Sequence, residues 1–135
     1  MFLLDTNVVS ELRRARPHGA VVRWIGAVPA DELFVSAVTV GEIQEGIEIT
    51  RELDRAKARE LEVWLDQIVG SYGVLPMDGD AFRAWARLMH RRSGVLIEDA
   101  MIAATALVHR LTVATRNMRD FQDFGVPLLD PFKRT

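Results

Sequence analysis

Apolar residues in this chain come in short runs, each followed by a stretch in which they recur at helical spacing. Residues 2–4 (FLL) have the pattern of a buried strand, and residues 8–14 that of a short helix with Thr6 or Asn7 as its cap. Pro17 opens a second helical segment, in which Val21, Val22, Trp24, Ile25 and Val28 are apolar, and Pro29 closes it. The β-branched run LFVSAVTV, residues 33–40, predicts a second strand. A helix follows that spaces Ile43 and Ile47 by four. Residues 54–69 predict a longer amphipathic helix with Leu53, Ala56, Leu61, Trp64, Leu65 and Ile68 near one face. YGVLPMD, residues 72–78, reads as a third strand ending at a turn. Residues 80–92 predict a helix with Phe82, Trp85, Ala86 and Met89 inward and Arg83, Arg87 and Arg91 outward, stopped by Gly94. Residues 97–111 predict another, apolar nearly all round and therefore buried. LTVAT (111–115) and VPLLD (126–130) complete the set as a fourth and a fifth strand.

Strands this short and apolar, alternating with helices, belong to a parallel sheet covered on both faces. No internal repeat or linker interrupts the pattern, so residues 1–135 are expected to form one α/β domain, a length sufficient for one substantial core. No run is long and apolar enough to span a membrane. Arg13 and Arg14 follow the apolar start, the wrong order for a secretory signal, and the expectation is a cytoplasmic protein without membrane contact.

Polar residues change the picture where they follow strands, because ligands bind at the carboxyl ends of open parallel sheets. Asp5 follows the first strand, Glu42 lies just past the second, and Asn117 and Asp120 follow the fourth. Asp99 heads the buried helix that leads into it. Each has a purely structural explanation. Asp5 can start a helix, Thr39-Val-Gly-Glu42 fits a capping box, Asp99 can complement a helix dipole, and Asn117 can cap a turn. Together these explanations weaken, since a carboxylate at the head of so apolar a helix is costly to bury unpaired. Carboxylates gathered at one sheet edge repel one another unless a cation sits between them. The chain has no cysteine, and His18, His90 and His109 show no ligand spacing. An all-oxygen set selects a hard ion, Mg²⁺ or Mn²⁺, and phosphate chemistry.

The net charge of −2 does not announce a nucleic-acid binder. Yet all but two of the 17 basic residues are arginine, Lys57 and Lys133 being the lysines, and arginine suits bidentate phosphate contacts.

FLLDTNVVSEL, VSAVTVGEIQEGI, IEDAMIAATAL and VATRNMRDF, in this order and spacing, resemble the PIN domain family, in particular VapC-type toxins of bacterial toxin–antitoxin pairs in the FitB-like branch. The resemblance covers essentially the whole chain. It implies a three-layer α/β/α sandwich around a mostly parallel sheet of four to five strands, and a Mg²⁺- or Mn²⁺-dependent endoribonuclease. Its acidic positions fall on Asp5, Glu42 and Asp99, the candidate metal ligands, with a fourth in TRNMRDF. There the chain has Asn117 where many PIN domains carry aspartate, so either Asn117 or Asp120 fills the position, and one or two ions remain open. Thr6, Asn7, Ser36 and Thr115 are candidates to hold the carboxylates in place. Arg13, Arg14, Arg91, Arg92, Arg116 and Arg119 are candidates for RNA contact.

The resemblance further implies a homodimer and a VapB-type antitoxin whose tail wraps the toxin, with Trp64, Leu65, Ile68 and Tyr72 as possible groove residues. Operator DNA would be bound only through the antitoxin. A receiver domain would need a lysine after a late strand, and Lys133 and Lys57 are not so placed. A haloacid-dehalogenase-type phosphatase would need an aspartate where the chain has Asn7. A degenerate PIN domain, binding RNA or a partner without cutting, is the remaining alternative.

Overall fold

Leu3 and Leu4 are both fully buried, on opposite faces of the strand they share. The computed structural model describes residues 1–90, 92, 94 and 96–133. At its centre is a sheet of five parallel strands, β1 (Phe2–Leu4), β2 (Leu33–Ser36), β3 (Gly73–Leu75), β4 (Thr112–Ala114) and β5 (Leu128–Leu129), in the order β3-β2-β1-β4-β5. The helices are α1 (Thr6–Glu11), α2 (Gly19–Ala27), α3 (Ala37–Leu53), α4 (Arg55–Ser71), α5 (Gly79–Met89), α6 (Ile97–His109) and the single turn α7 (Met118–Phe121).

Leu3 packs with Ile102, Ala103 and Ala106 of α6, Phe121 of α7 and, at the margin, Trp85 and Leu88 of α5. Leu4 packs with Val8 and Val9 of α1, Val21 of α2 and Ile68 of α4. Both faces of the sheet are therefore covered, and the result is the expected α/β/α sandwich. A smaller cluster of Ile47, Ala58 and Leu65 joins α3 to α4.

The chain runs from β1 outward to β2 and β3, then returns to lay β4 on the other side of β1. Leu4 pairs with Val35 on one side and Ala114 on the other. Strand order reverses between β1 and β4, so the crevice at their carboxyl ends is where a ligand collects in such a sheet.

Local differences from the sequence pattern have identifiable causes. Asp5, rather than Thr6 or Asn7, caps α1, its carboxylate accepting the Thr6 N–H at 2.8 Å. The second strand stops at Ser36, whose hydroxyl accepts the Val38 N–H at 3.0 Å and begins α3 inside the β-branched run. Capping chemistry overrides β-propensity there. Leu53 and Ala56 face solvent and Ala58 is buried in their place, because the chain turns at Asp54, where α3 ends and α4 begins. On α5, Phe82 and Ala86 are exposed and Ala81 is buried. That helix ends at Met89, short of Arg92. Arg110, not a glycine, takes the left-handed conformation (φ 56°) that closes α6. The N–H groups of Arg110 and Leu111 return to Leu107 O and Ala106 O, a Schellman closure. Gly73 has a positional reason: a Cβ there would lie 2.8 Å from the Phe34 ring, which covers it from the neighbouring strand.

Candidate active site

Asp5 leaves β1 at the reversal of strand order and is 3% exposed. Its backbone N–H donates to Ala114 O at 2.9 Å, which carries the β1–β4 ladder one residue further. Burying a carboxylate here requires donors, and the fold supplies three. Oδ1 accepts the Thr6 N–H, and Oδ2 accepts the Thr115 hydroxyl at 2.7 Å and the Asn7 amide at 3.1 Å. A carboxylate offers about four acceptor positions. These donors saturate Oδ2 and leave Oδ1 room for one more partner, so Asp5 suits monodentate ligation. As a helix cap and as an acidic group at the crevice, it answers to both descriptions.

Thr115 is fully buried and holds both strand ends, since its Oγ1 also accepts the Asn117 N–H at 2.9 Å. Asn7 closes the ring by accepting the Arg116 N–H on Oδ1 at 3.2 Å. Glu42 does not form the capping box, because Ser36 rather than Thr39 caps α3. Its Oε1 instead accepts the Thr6 hydroxyl at 2.8 Å. Ser36, expected beside the carboxylates, is engaged with Val38. Thr39 takes up the position the sequence reading missed: fully buried, with its Oγ1 3.0 Å from Thr6 Oγ1. The available signal was its place one helical turn before Glu42, in an otherwise apolar run.

Asp99 lies in the first turn of α6, at the positive end of the helix, and is half-buried. Burial first, then the charges of Asp5, Asp120 and Glu42, push its carboxyl up to about 6. Burial also raises Asp5, against its hydrogen bonds, and Asp120 adds to the rise. Glu42 is raised by partial loss of water, opposed by Thr6 and reinforced by Asp5 and Glu98. Asp120 is thus near enough for its charge to be felt by both Asp5 and Asp99, whereas Asn117 is exposed and its side chain makes no cap bond to α7. Glu98, not singled out in the sequence, adds to the same field. Among the described residues, none of the salt bridges engages Asp5, Glu42, Asp99 or Asp120.

The raised Asp99 carboxyl gives a stability test. Protonation is favoured in the folded state, so its contribution is complete below the unfolded value near 3.8 and is lost as pH rises through about 6. In metal-free buffer, Asp99→Asn is expected to gain thermal stability relative to the wild type as pH climbs across this window, with the difference levelling off above it. A difference that does not change with pH would mean the carboxylates are not crowded.

Of the candidate arginines, Arg13, Arg14 and Arg116 meet beside Asn7. Arg92 donates to Asp123 O at 3.1 Å and lies over the Phe124 ring. Arg119 is exposed on α7, and Arg91 falls outside the described residues. His18 caps α2 by accepting the Ala20 N–H. Leu65 and Ile68 are core residues, and Tyr72 packs on the Leu4 side of the sheet. Trp64 packs there too and also lines a groove of about 330 Å³ that leads from Thr6 and Glu42 along α3. Among the described residues, no helix is long and apolar enough to cross a membrane.

The PIN domain pattern matches residues 2–126. The chain is 38% identical to "VapC ribonuclease Y4jK" of Sinorhizobium fredii, over 98% of this chain and 99% of that one. The crystal structure of FitAcB from Neisseria gonorrhoeae superposes with a TM-score of 0.88 at 33% identity, covering 99% of this chain and 100% of that one. A toxin–antitoxin complex from Klebsiella pneumoniae superposes with a TM-score of 0.75 at 25% identity, covering 99% and 100%. The chain belongs to the PIN domain family, among its VapC- and FitB-like members.

Proposed function

We propose that the chain is a Mg²⁺- or Mn²⁺-dependent endoribonuclease, the toxin of a toxin–antitoxin pair. The observation that carries this reading is the gathering of Asp5, Glu42, Asp99 and Asp120 at the reversal of strand order, with none of them in a salt bridge among the described residues. So much negative charge in a partly dry crevice calls for a cation. The all-oxygen donor set fits a hard one. As placed, no three acidic or imidazole groups among the described residues stand close enough to hold an ion jointly. Mg²⁺, which keeps several waters and takes one or two carboxylates, tolerates such spacing.

In this reading Asp5 and Asp99 would hold the ion, directly or through water. When bound, the ion supplies neutralisation of charge on the phosphodiester and a more acidic water. Glu42, held by Thr6, would complete the site or position the attacking water, and cleavage would leave a 5′-phosphate and a 3′-hydroxyl. Thr115, Asn7 and Thr39 keep the carboxylates from turning away. Asp120, rather than Asn117, adds the fourth charge.

Partners follow from the relatives. A VapB-type antitoxin would lay its tail in the groove past Trp64, placing a cation against Glu42. The protein would act in the cytoplasm as a homodimer and meet operator DNA only through that antitoxin. The wide spacing of the acids favours one other reading, a PIN domain that binds without cutting.

Cleavage of total RNA by the purified chain separates the two. Discrete fragments with Mg²⁺ or Mn²⁺, abolished by EDTA, are the expected result. Intact RNA from a protein that binds Mn²⁺ and is free of antitoxin would leave only the binding role.

A further inference from the structure

Three of the arginines share a cavity. Arg13, Arg14 and Arg116 line an open space of about 380 Å³ beside the acid cluster, with Asn7, Glu11 and Phe132 on its walls. We propose that this cavity is a phosphate subsite, which binds the backbone phosphate of RNA adjacent to the one being cut. The proposal rests on the ribonuclease reading above.

Charge is the first argument. Glu11 is the carboxylate on the wall, and it is engaged within the protein. Its Oε2 accepts the His18 N–H at 2.9 Å and its Oε1 faces the Arg14 guanidinium at 3.5 Å. Three guanidinium groups against one carboxylate leave two positive charges in excess. Orientation is the second. The Arg116 guanidinium lies 4.5 Å over the Phe132 ring, which His18 meets edge-on at 5.4 Å. Stacking fixes the plane of the guanidinium and leaves its N–H edge free, the geometry that forks onto a phosphate.

Position is the third. Asn7 is a wall of the cavity, and its amide donates to Asp5 Oδ2 at 3.1 Å. Its Oδ1 receives the Arg116 N–H. The acid cluster and the arginine cavity are therefore one side chain apart and rigidly joined. In this proposal an RNA strand with its scissile phosphate at Asp5 and Asp99 lays a neighbouring backbone phosphate in this cavity, whatever its sequence. An acidic peptide lacks a phosphate at every residue, and a protein occupant is the alternative that the test separates.

The test is binding of a short fluorescein-labelled single-stranded RNA in EDTA, where cleavage does not intervene. Arg13→Ala and Arg116→Ala are expected to weaken binding roughly tenfold each and to flatten its salt dependence by about 0.7 per lost phosphate contact. Arg116→Lys, which keeps the charge and loses the fork, should fall between. Arg59→Ala, on the exposed face of α4, should bind as the wild type does. Arg13 and Arg116 are both exposed, so their loss leaves the core intact. Variants that bind as tightly as a binding-competent wild type would overturn the subsite and leave the nuclease standing. Variants that lose only the antitoxin would overturn it in favour of a protein site. A wild type that does not bind RNA in EDTA would overturn the subsite, while the ribonuclease reading would still rest on the cleavage assay with Mg²⁺ or Mn²⁺.

Discussion

Asp5→Asn is expected to lower metal-dependent RNA cleavage by roughly a thousandfold while the protein still folds. The size follows from the charge lost at the reacting centre. An ion contributes several kcal/mol to the transition state of phosphodiester hydrolysis, and each ~1.4 kcal/mol is a factor of about ten. Asparagine is nearly isosteric and can keep the bond from the Thr6 N–H on its carbonyl oxygen. Its amide nitrogen cannot accept the bonds that Thr115 and Asn7 now give to Oδ2, a loss of about 1 kcal/mol each. Against that loss, the variant no longer buries a charge that desolvation disfavours. The two effects offset, and the melting temperature without metal should move little, while Mn²⁺ should stabilise only the wild type. Single-turnover cleavage with thermal melts, with and without Mn²⁺, checks both halves. Cleavage at the wild-type rate would show that Asp5 does no more than start α1.

Phe121→Ala should cost about 3–5 kcal/mol, the usual range for emptying a buried aromatic site. Phe121 is fully buried on the Leu3 side of the sheet, and Phe124 meets its ring edge-on at 6.0 Å. Domains of this size hold about 5–15 kcal/mol in reserve, so the loss takes a large part of it. Phe121 anchors the one-turn helix that carries Asp120. The variant should therefore also cleave more slowly under conditions where it remains folded. Urea denaturation followed by circular dichroism gives the energy. A cost well under 1 kcal/mol would mean that the neighbouring apolar groups close over the gap, against the close packing of such cores.

Much of this architecture was legible in the chain because strand and helix signals overlap at few places in it. Phe2–Leu4 and Thr112–Ala114 are short, mostly apolar runs that each end at a polar residue, Asp5 and Thr115, and the burial of Ile97–His109 follows from its apolar surface. The sequence pattern misled where two local preferences met. Residues 37–40 read as strand, but Ser36 caps a helix there, and a cap is a property of one hydroxyl that periodicity does not register. Ala56 was misplaced because the turn at Asp54 resets the helical phase, so that Ala58 faces inward.

At the site, the residue types were legible and their wiring was not. That Asp5 leaves β1, that Glu42 lies just past β2 and that Asp99 heads the helix before β4 is written in the order of elements. That Thr39 rather than Ser36 serves the cluster depends on side-chain direction at a β–α junction. Asp120 and Asn117 are three residues apart, and only the short turn of α7 brings the charge of one to the cluster while its start leaves the other in solvent.

The bond from Thr115 to Asp5 joins residues 110 positions apart, and β1 needs β4 as well as β2 at its sides. A pairing of that span is slow to form and closes late. During synthesis, at about 5–20 residues per second, β1 leaves the ribosome many seconds before its second neighbour exists. The crevice between them is thus absent until β4 has been made. A site wired in this order cannot form on the nascent chain until β4 has emerged to close it against β1.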